Sequence, residues 1–191
     1  MKDMTMLRVL GCVGLLLCAA PAVAAPVSFA VDPSATRIGF EVGAKGYPVT
    51  KGVFRTFSAD LNIDFEMPAR SKVMFRVASS SLDTEAPALD DYVRGPGFLD
   101  SARYPDITFV STRVRKLDDK TVEVVGNLTL LGVTREQAFD VNVAQHRAGS
   151  RDGFAFQVEG AIHRSDFGMT GGLPLVSDDV RITVYAQATP R

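Results

Sequence analysis

The chain has 191 residues, 46% of them hydrophobic and 23% charged, which is enough apolar material for one globular domain with its own core. Lys and Arg number 21 against 22 Asp and Glu, for a net charge of −1, so composition offers no broad basic face to nucleic acid or to an anionic membrane surface. Both cysteines, Cys12 and Cys18, fall within the first 24 residues.

Those first residues have the layout of a secretory signal peptide. Lys2 and Arg8 give a positive start, an apolar run follows from Val9 to Leu17, and Ala22-Val23-Ala24 supplies the small residues a signal peptidase reads. The expected division is a signal peptide over 1–24 and one exported domain over 25–191. Lipidation is disfavoured, because Cys18 follows Leu17 where a small residue is needed and Cys12 precedes most of the apolar run. The exported part then has no thiol, which excludes disulfides, cysteine-based metal sites, c-type haem attachment and thiol catalysis.

From Val27 onward alternation dominates over helical periodicity. Ile38, Phe40 and Val42 alternate with Gly39 and Glu41; Ala59, Leu61, Ile63 and Phe65 with Asp60, Asn62 and Asp64; Val73, Phe75 and Val77 with Met74 and Arg76. Such runs describe strands with one face buried. The patterns predict strands over 37–42, 53–65 (bent near Ser58) and 71–80. One helix is expected over 85–94, with Thr84 as its cap, Pro87 in the first turn and Gly95 ending it. Strands resume over 107–117, 121–131, 137–145, 154–164 and 180–188, with turns at 118–120 and 132–135. About eight antiparallel strands in nearly consecutive order, with one short helix, point to an all-β barrel or sandwich rather than a parallel α/β sheet. The 12 Phe include Phe40, Phe75, Phe109 and Phe156 on separate apolar faces, which suits a filled core or a barrel holding one small ligand.

Catalytic constellations are weak throughout. His146 and His163 are the only histidines and have no metal-ligand spacing. No Gly-x-Ser-x-Gly elbow exists, and Gly168 to Gly172 lacks the Lys-Ser/Thr and helix of a phosphate loop. The pairs Asp90-Asp91, Asp118-Asp119 and Asp178-Asp179 read as caps and turns, and Asn127-Leu128-Thr129 as strand. No metal, cofactor or catalytic residue is expected.

Several ordered motifs carry a family resemblance. Val31-Asp32-Pro33 is followed by Ile38-Gly39-Phe40-Glu41-Val42 and Gly52-Val53-Phe54. Asp91, Arg94 and Phe98-Leu99-Asp100 lead to Tyr104-Pro105-Asp106-Ile107-Thr108-Phe109. Gly126-Asn127-Leu128-Thr129-Leu130, Arg164-Ser165-Asp166-Phe167-Gly168-Met169 and Val176-Ser177-Asp178-Asp179-Val180 follow. From Val31 to Ala188 the chain resembles the YceI-like family of secreted, lipocalin-like proteins associated with polyisoprenoid binding. The resemblance implies an eight-stranded antiparallel barrel with one short helix near its mouth. It also implies an apolar pocket for an isoprenoid, quinone-like or fatty-acid-like molecule, and frequent dimers. Three histidines common in that family are replaced here, by Ala35, by Gly43 or Ala44, and by Tyr92. The expected pocket lining is Phe40, Phe54, Phe75, Phe98, Phe109, Phe167 and Met169, and the expected polar mouth is Asp91, Tyr92, Arg94 and Arg164. The resemblance makes 25–191 a YceI-like β-barrel domain, and the function expected is a periplasmic carrier or store that loads by transient membrane contact. A filled barrel acting in stress response or interaction, and an enzyme acting on a barrel-bound substrate, stand as alternatives.

Overall fold

The computed structural model describes residues 25–144 and 152–191. The expected signal segment and His146 lie outside them. Eleven strands and one α-helix follow in chain order: β1 (Val27–Val31), β2 (Arg37–Ala44), β3 (Tyr47–Phe54), β4 (Phe57–Ile63), β5 (Lys72–Ala78), β6 (Leu82–Asp83), α1 (Pro87–Arg94), β7 (Asp106–Lys116), β8 (Thr121–Leu130), β9 (Val133–Val143), β10 (Phe154–His163) and β11 (Val176–Pro190). All pairings are antiparallel. A closed ring of eight runs β1-β4-β5-β7-β8-β9-β10-β11 and returns to β1, so no strand of the ring has a free edge there. β2, β3 and β6 extend the barrel from the other half of the long β11.

The expected barrel of eight strands and one helix is what the chain adopts, although three of the eight are interrupted. β1 and β2 occupy successive parts of one line beside β11, β4 and β3 lie on the next, and β5 and β6 on the third. The expected single strand over 53–65 is instead broken at Arg55-Thr56. Phe54 and Phe57 are three residues apart, so on a regular strand they would face opposite sides. Both face inward here, Phe54 paired with Ile38 and Phe57 with Val77, and the chain must kink to allow it. Arg55 is anchored at the kink by Asp83 at 2.8 Å.

The helix is shorter than expected, and Thr84 does not cap it. Glu85 has φ of 64°, which turns the chain away before the first helical residue, and Ala86 takes the cap position. Thr84 instead donates from its backbone N–H and its hydroxyl to Asp90 Oδ1, at 2.8 and 2.6 Å. The β8–β9 turn falls on Leu131-Gly132, both with positive φ (52° and 73°), the mirror-type turn that matches the twist of a two-residue hairpin. At 118–120 the expected turn is present, held by Asp118 accepting from the N–H groups of Lys120 and Thr121.

The interior holds two apolar clusters. One joins Leu82, Phe98, Leu99, Leu128, Leu130, Phe139, Ile162, Phe167 and Met169, beneath α1 and the segments flanking it. The other joins Phe29, Leu61, Phe154, Phe156, Ala186 and Ala188 on the opposite side of the barrel. Helix α1 therefore lies at a rim of the barrel, as the sequence suggests, but at the rim that is filled.

Candidate functional site

Between the clusters lies a cavity of about 700 Å³, within the range that accommodates a drug-sized ligand. Its wall is built by alternation. Val73, Phe75 and Val77 of β5, Val122 and Val124 of β8, Val141 and Val143 of β9, and Phe154, Phe156 and Val158 of β10 are spaced by two, so each strand points all of its set inward. Val73 and Phe75 face the interior yet are only half-buried, because what they face is a void. From Thr121 to Leu128, the wall runs about 23 Å along β8, or roughly 18 Å of depth once the tilt of barrel strands is taken into account.

The floor is aromatic. Phe109 and Phe139 meet edge to face with centroids 5.4 Å apart. Each ring lies over a glycine of the neighbouring strand: a Cβ at Gly126 would sit 2.6 Å from the Phe109 ring, and one at Gly160 would sit 2.4 Å from the Phe139 ring. Only residues without side chains there let the two rings fold across the barrel.

The cavity opens at the rim formed by the β7–β8 turn and the β4–β5 connection, where Asp64, Pro68, Ser71, Lys116, Asp118, Asp119, Lys120 and Thr121 line it. Lys116 pairs with Asp119 at 2.9 Å. Hydrogen bonds from the Lys120 N–H, and then from Thr121, hold the Asp118 carboxyl below the usual carboxylate range. Asp64 is different, because it is buried. Its Oδ1 accepts from the N–H groups of Glu66 and Met67 at 3.1 and 2.8 Å, and its own N–H donates to Ser71 Oγ. Its Oδ2 is buried without a hydrogen-bond donor, with Arg70 Nη1 at 3.4 Å as its ion-pair neighbour.

Of the residues expected to line a pocket, Phe75 and Phe109 are on the wall. Phe98, Phe167 and Met169 are buried in the closed end, and Phe40 and Phe54 pack against that cluster. The expected mouth residues gather at the closed end as well. Asp91 is exposed and pairs with Arg94 at 3.2 Å; Tyr92 is 63% exposed and packs against Phe98 with the two rings tilted. Arg94 donates to the Leu82 carbonyl. Arg164 is 1% exposed and donates to the carbonyls of Ser177, Met169, Gly171 and Val176, which ties the 168–177 loop to the barrel end. Most of the expected aromatic set lies in the filled end, whereas the cavity wall is mainly valine and isoleucine. The signal that finds it is the inward phase of each alternating run, including Phe139, Phe154 and Phe156.

Among the described residues no three His, Cys, Asp or Glu gather as a metal site. His163 is exposed beside Asp179 at 2.8 Å. Asp178 accepts from the Ser165 hydroxyl and N–H, which hold its carboxyl below the usual range. No helix among the described residues is long and apolar enough to cross a membrane.

Comparison with known proteins matches this architecture. A UPF0312 protein of Pectobacterium atrosepticum is 32% identical over 183 residues, covering 92% of each chain. Protein YceI of Salmonella arizonae is 30% identical over 177 residues, covering 91% of each. The crystal structure of BcnA from Burkholderia cenocepacia superposes with a TM-score of 0.76 at 28% identity, over 83% of this chain and 99% of that one. A polyisoprenoid binding domain from Saccharophagus degradans, implicated in plant cell wall breakdown, shares the fold alone, with a TM-score of 0.67 at 15% identity, over 86% of this chain and 99% of that one. The YceI-like domain matches residues 29–188, which include every strand of the closed ring except the outer ends of β1 and β11, and the chain belongs to the YceI-like family.

Proposed function

We propose that the protein binds a long apolar amphiphile of isoprenoid type inside the barrel, as a carrier or store rather than an enzyme. The tail would run toward the Phe109–Phe139 floor, and the head would lie at the rim between Asp64 and Thr121. The observation that carries this reading is the cavity itself: about 700 Å³, walled by aliphatic and aromatic side chains and opening where the charged residues begin. A void of this size in a protein interior forfeits packing, so it has a use when an apolar guest fills it. The S. degradans domain named for polyisoprenoid binding has the same fold, which makes an isoprenoid the first ligand to test.

The physics of such a ligand sets how it is loaded. Each methylene taken from water gains about 0.8 kcal/mol, but a prenyl tail resides in a bilayer, where it is already dehydrated. The driving force for extraction is therefore small, and the reading includes export to the periplasm and transient membrane contact during loading. A homodimer, the assembly implied by the family resemblance, is checked by light scattering of the purified chain.

Mass spectrometry of an organic extract of the purified protein tests the proposal. A co-purifying prenyl lipid or quinone is expected, together with a rise in Tm when geranylgeraniol or a prenylated quinone is added to protein stripped of ligand. An empty extract with no thermal response to either compound would remove the binding reading.

A further inference from the structure

We infer that the cavity selects an amphiphile whose head group donates a hydrogen bond, such as a primary alcohol or amide, over one ending in a carboxylate or diphosphate, and that Asp64 makes the selection. The inference rests on the binding reading above and adds the chemistry of the head. Asp64 is buried at the cavity wall, and its two oxygens differ. Oδ1 is committed to the N–H groups of Glu66 and Met67 and so shapes the turn. Oδ2 is buried with no donor, although a buried carboxylate oxygen without one loses the hydration it had in water. Arg70 approaches to 3.4 Å without making the hydrogen bond, its Nη1 also contacting Met67 Sδ at 3.8 Å. Oδ2 lies just behind the cavity surface, and a head-group hydroxyl entering from the cavity, with a small side-chain shift to uncover the oxygen, supplies the missing donor.

The charges of the rim agree. Lys116 and Lys120 line it together with Asp64, Asp118 and Asp119; Lys116 pairs with Asp119, and Arg70, outside the lining, pairs with Asp64. An anionic head, carboxylate or diphosphate, would meet a rim without net positive charge and would place an oxyanion against Oδ2. Phosphate sites in proteins instead use converging cations or N–H groups.

The test uses four C20 probes with the same tail: geranylgeraniol, its acetate ester, geranylgeranoic acid and geranylgeranyl diphosphate. Each displaces a fluorescent apolar dye from the exported chain at pH 7.5. The alcohol is expected to bind about tenfold more tightly than the acetate, as one charge-assisted hydrogen bond allows, and more tightly than either anion. Asp64→Asn keeps an oxygen for the turn and places an N–H₂ donor where Oδ2 stood. In that variant the preference for alcohol over acetate should fall to about one or reverse, each probe being compared with the other in the same variant. A wild-type protein that binds the acid, the diphosphate or the acetate as well as the alcohol overturns the assignment, whatever the variant does. So does an unchanged alcohol-to-acetate ratio in Asp64→Asn. Tight but indiscriminate binding removes only this inference, whereas failure of every probe and of the dye to bind removes the binding reading with it.

Discussion

Arg164 directs its guanidinium at four backbone carbonyls of the loop that closes one end of the barrel. Burial pushes the guanidinium below its ordinary value, but with so many acceptors around it the group remains a cation. Arg164→Ala leaves those carbonyls without a donor in a dry site, and a loss of at least about 3 kcal/mol is expected in urea unfolding. Arg164→Lys should recover only part, because an ammonium has no planar fork to reach several carbonyls at once. Next to it, Asp178 is held below the carboxylate reference of 3.8 by the Ser165 hydroxyl and N–H. A depressed folded-state value means that this stabilisation is present above the unfolded pKa and is lost as pH falls through the folded one. Tm should therefore decline below about pH 4, and Asp178→Asn should make that decline shallower; an identical acid slope in the variant would contradict the assignment.

At the scale of elements, the strands are tied to one another by ring-on-glycine contacts as well as by their ladders. Phe139 of β9 lies over Gly160 of β10, and Phe109 of β7 over Gly126 of β8. Gly160→Ala brings a methyl to within 2.4 Å of the Phe139 ring, so the ring must move and the floor with it. A destabilisation of about 1–3 kcal/mol is expected, together with weaker dye binding, since the floor and the wall share that ring. Unchanged stability and unchanged binding would show that the ring relaxes freely. The breaks in the strands are legible in retrospect: Phe54 and Phe57 cannot share a face without a kink, and their spacing is plain in the chain. The helix cap was not legible. Thr84 before Glu85 has the residue types of a cap, but the positive φ at Glu85 depends on where β6 delivers the chain.

For the whole molecule, the consequence of closure is that filling one end leaves the other hollow. If the cavity is a binding site, then occupying it with a side chain should mimic the guest. Val141→Trp places an indole in the void from β9. Affinity for the dye and for geranylgeraniol should fall at least about tenfold while Tm is unchanged or higher, because the added ring fills space rather than displacing packed neighbours. A large drop in Tm would mean the void is smaller than its walls suggest. Changes at the closed end, such as Tyr92→Ala, should leave the affinity as it is, since Tyr92 lies on the outer side of the filled cluster.

What the sequence by itself determined is the set of local periods. Alternation with a spacing of two marks which residues of each strand share a face, and the single helical segment with Pro87 and Gly95 marks the one covering element. Together with the ordered motifs from Val31 to Ala188 these lead to a barrel and to the family. What only the tertiary structure decided is which end of the barrel is open. A strand's period says that Phe40, Phe75 and Phe109 face inward, but not at what height along the axis they meet the residues of other strands. That height is set by the registers of long-range pairs such as Ile182 with Phe40 and Phe75 with Phe109. Those registers leave valines around an empty space at one height and gather Leu128, Leu130 and Ile162 at another, where the connections that carry Phe98, Phe167 and Met169 pack beneath α1 as a plug. The turn after β4 brings Asp64, an ordinary polar residue in an alternating run, into a buried position on the cavity wall.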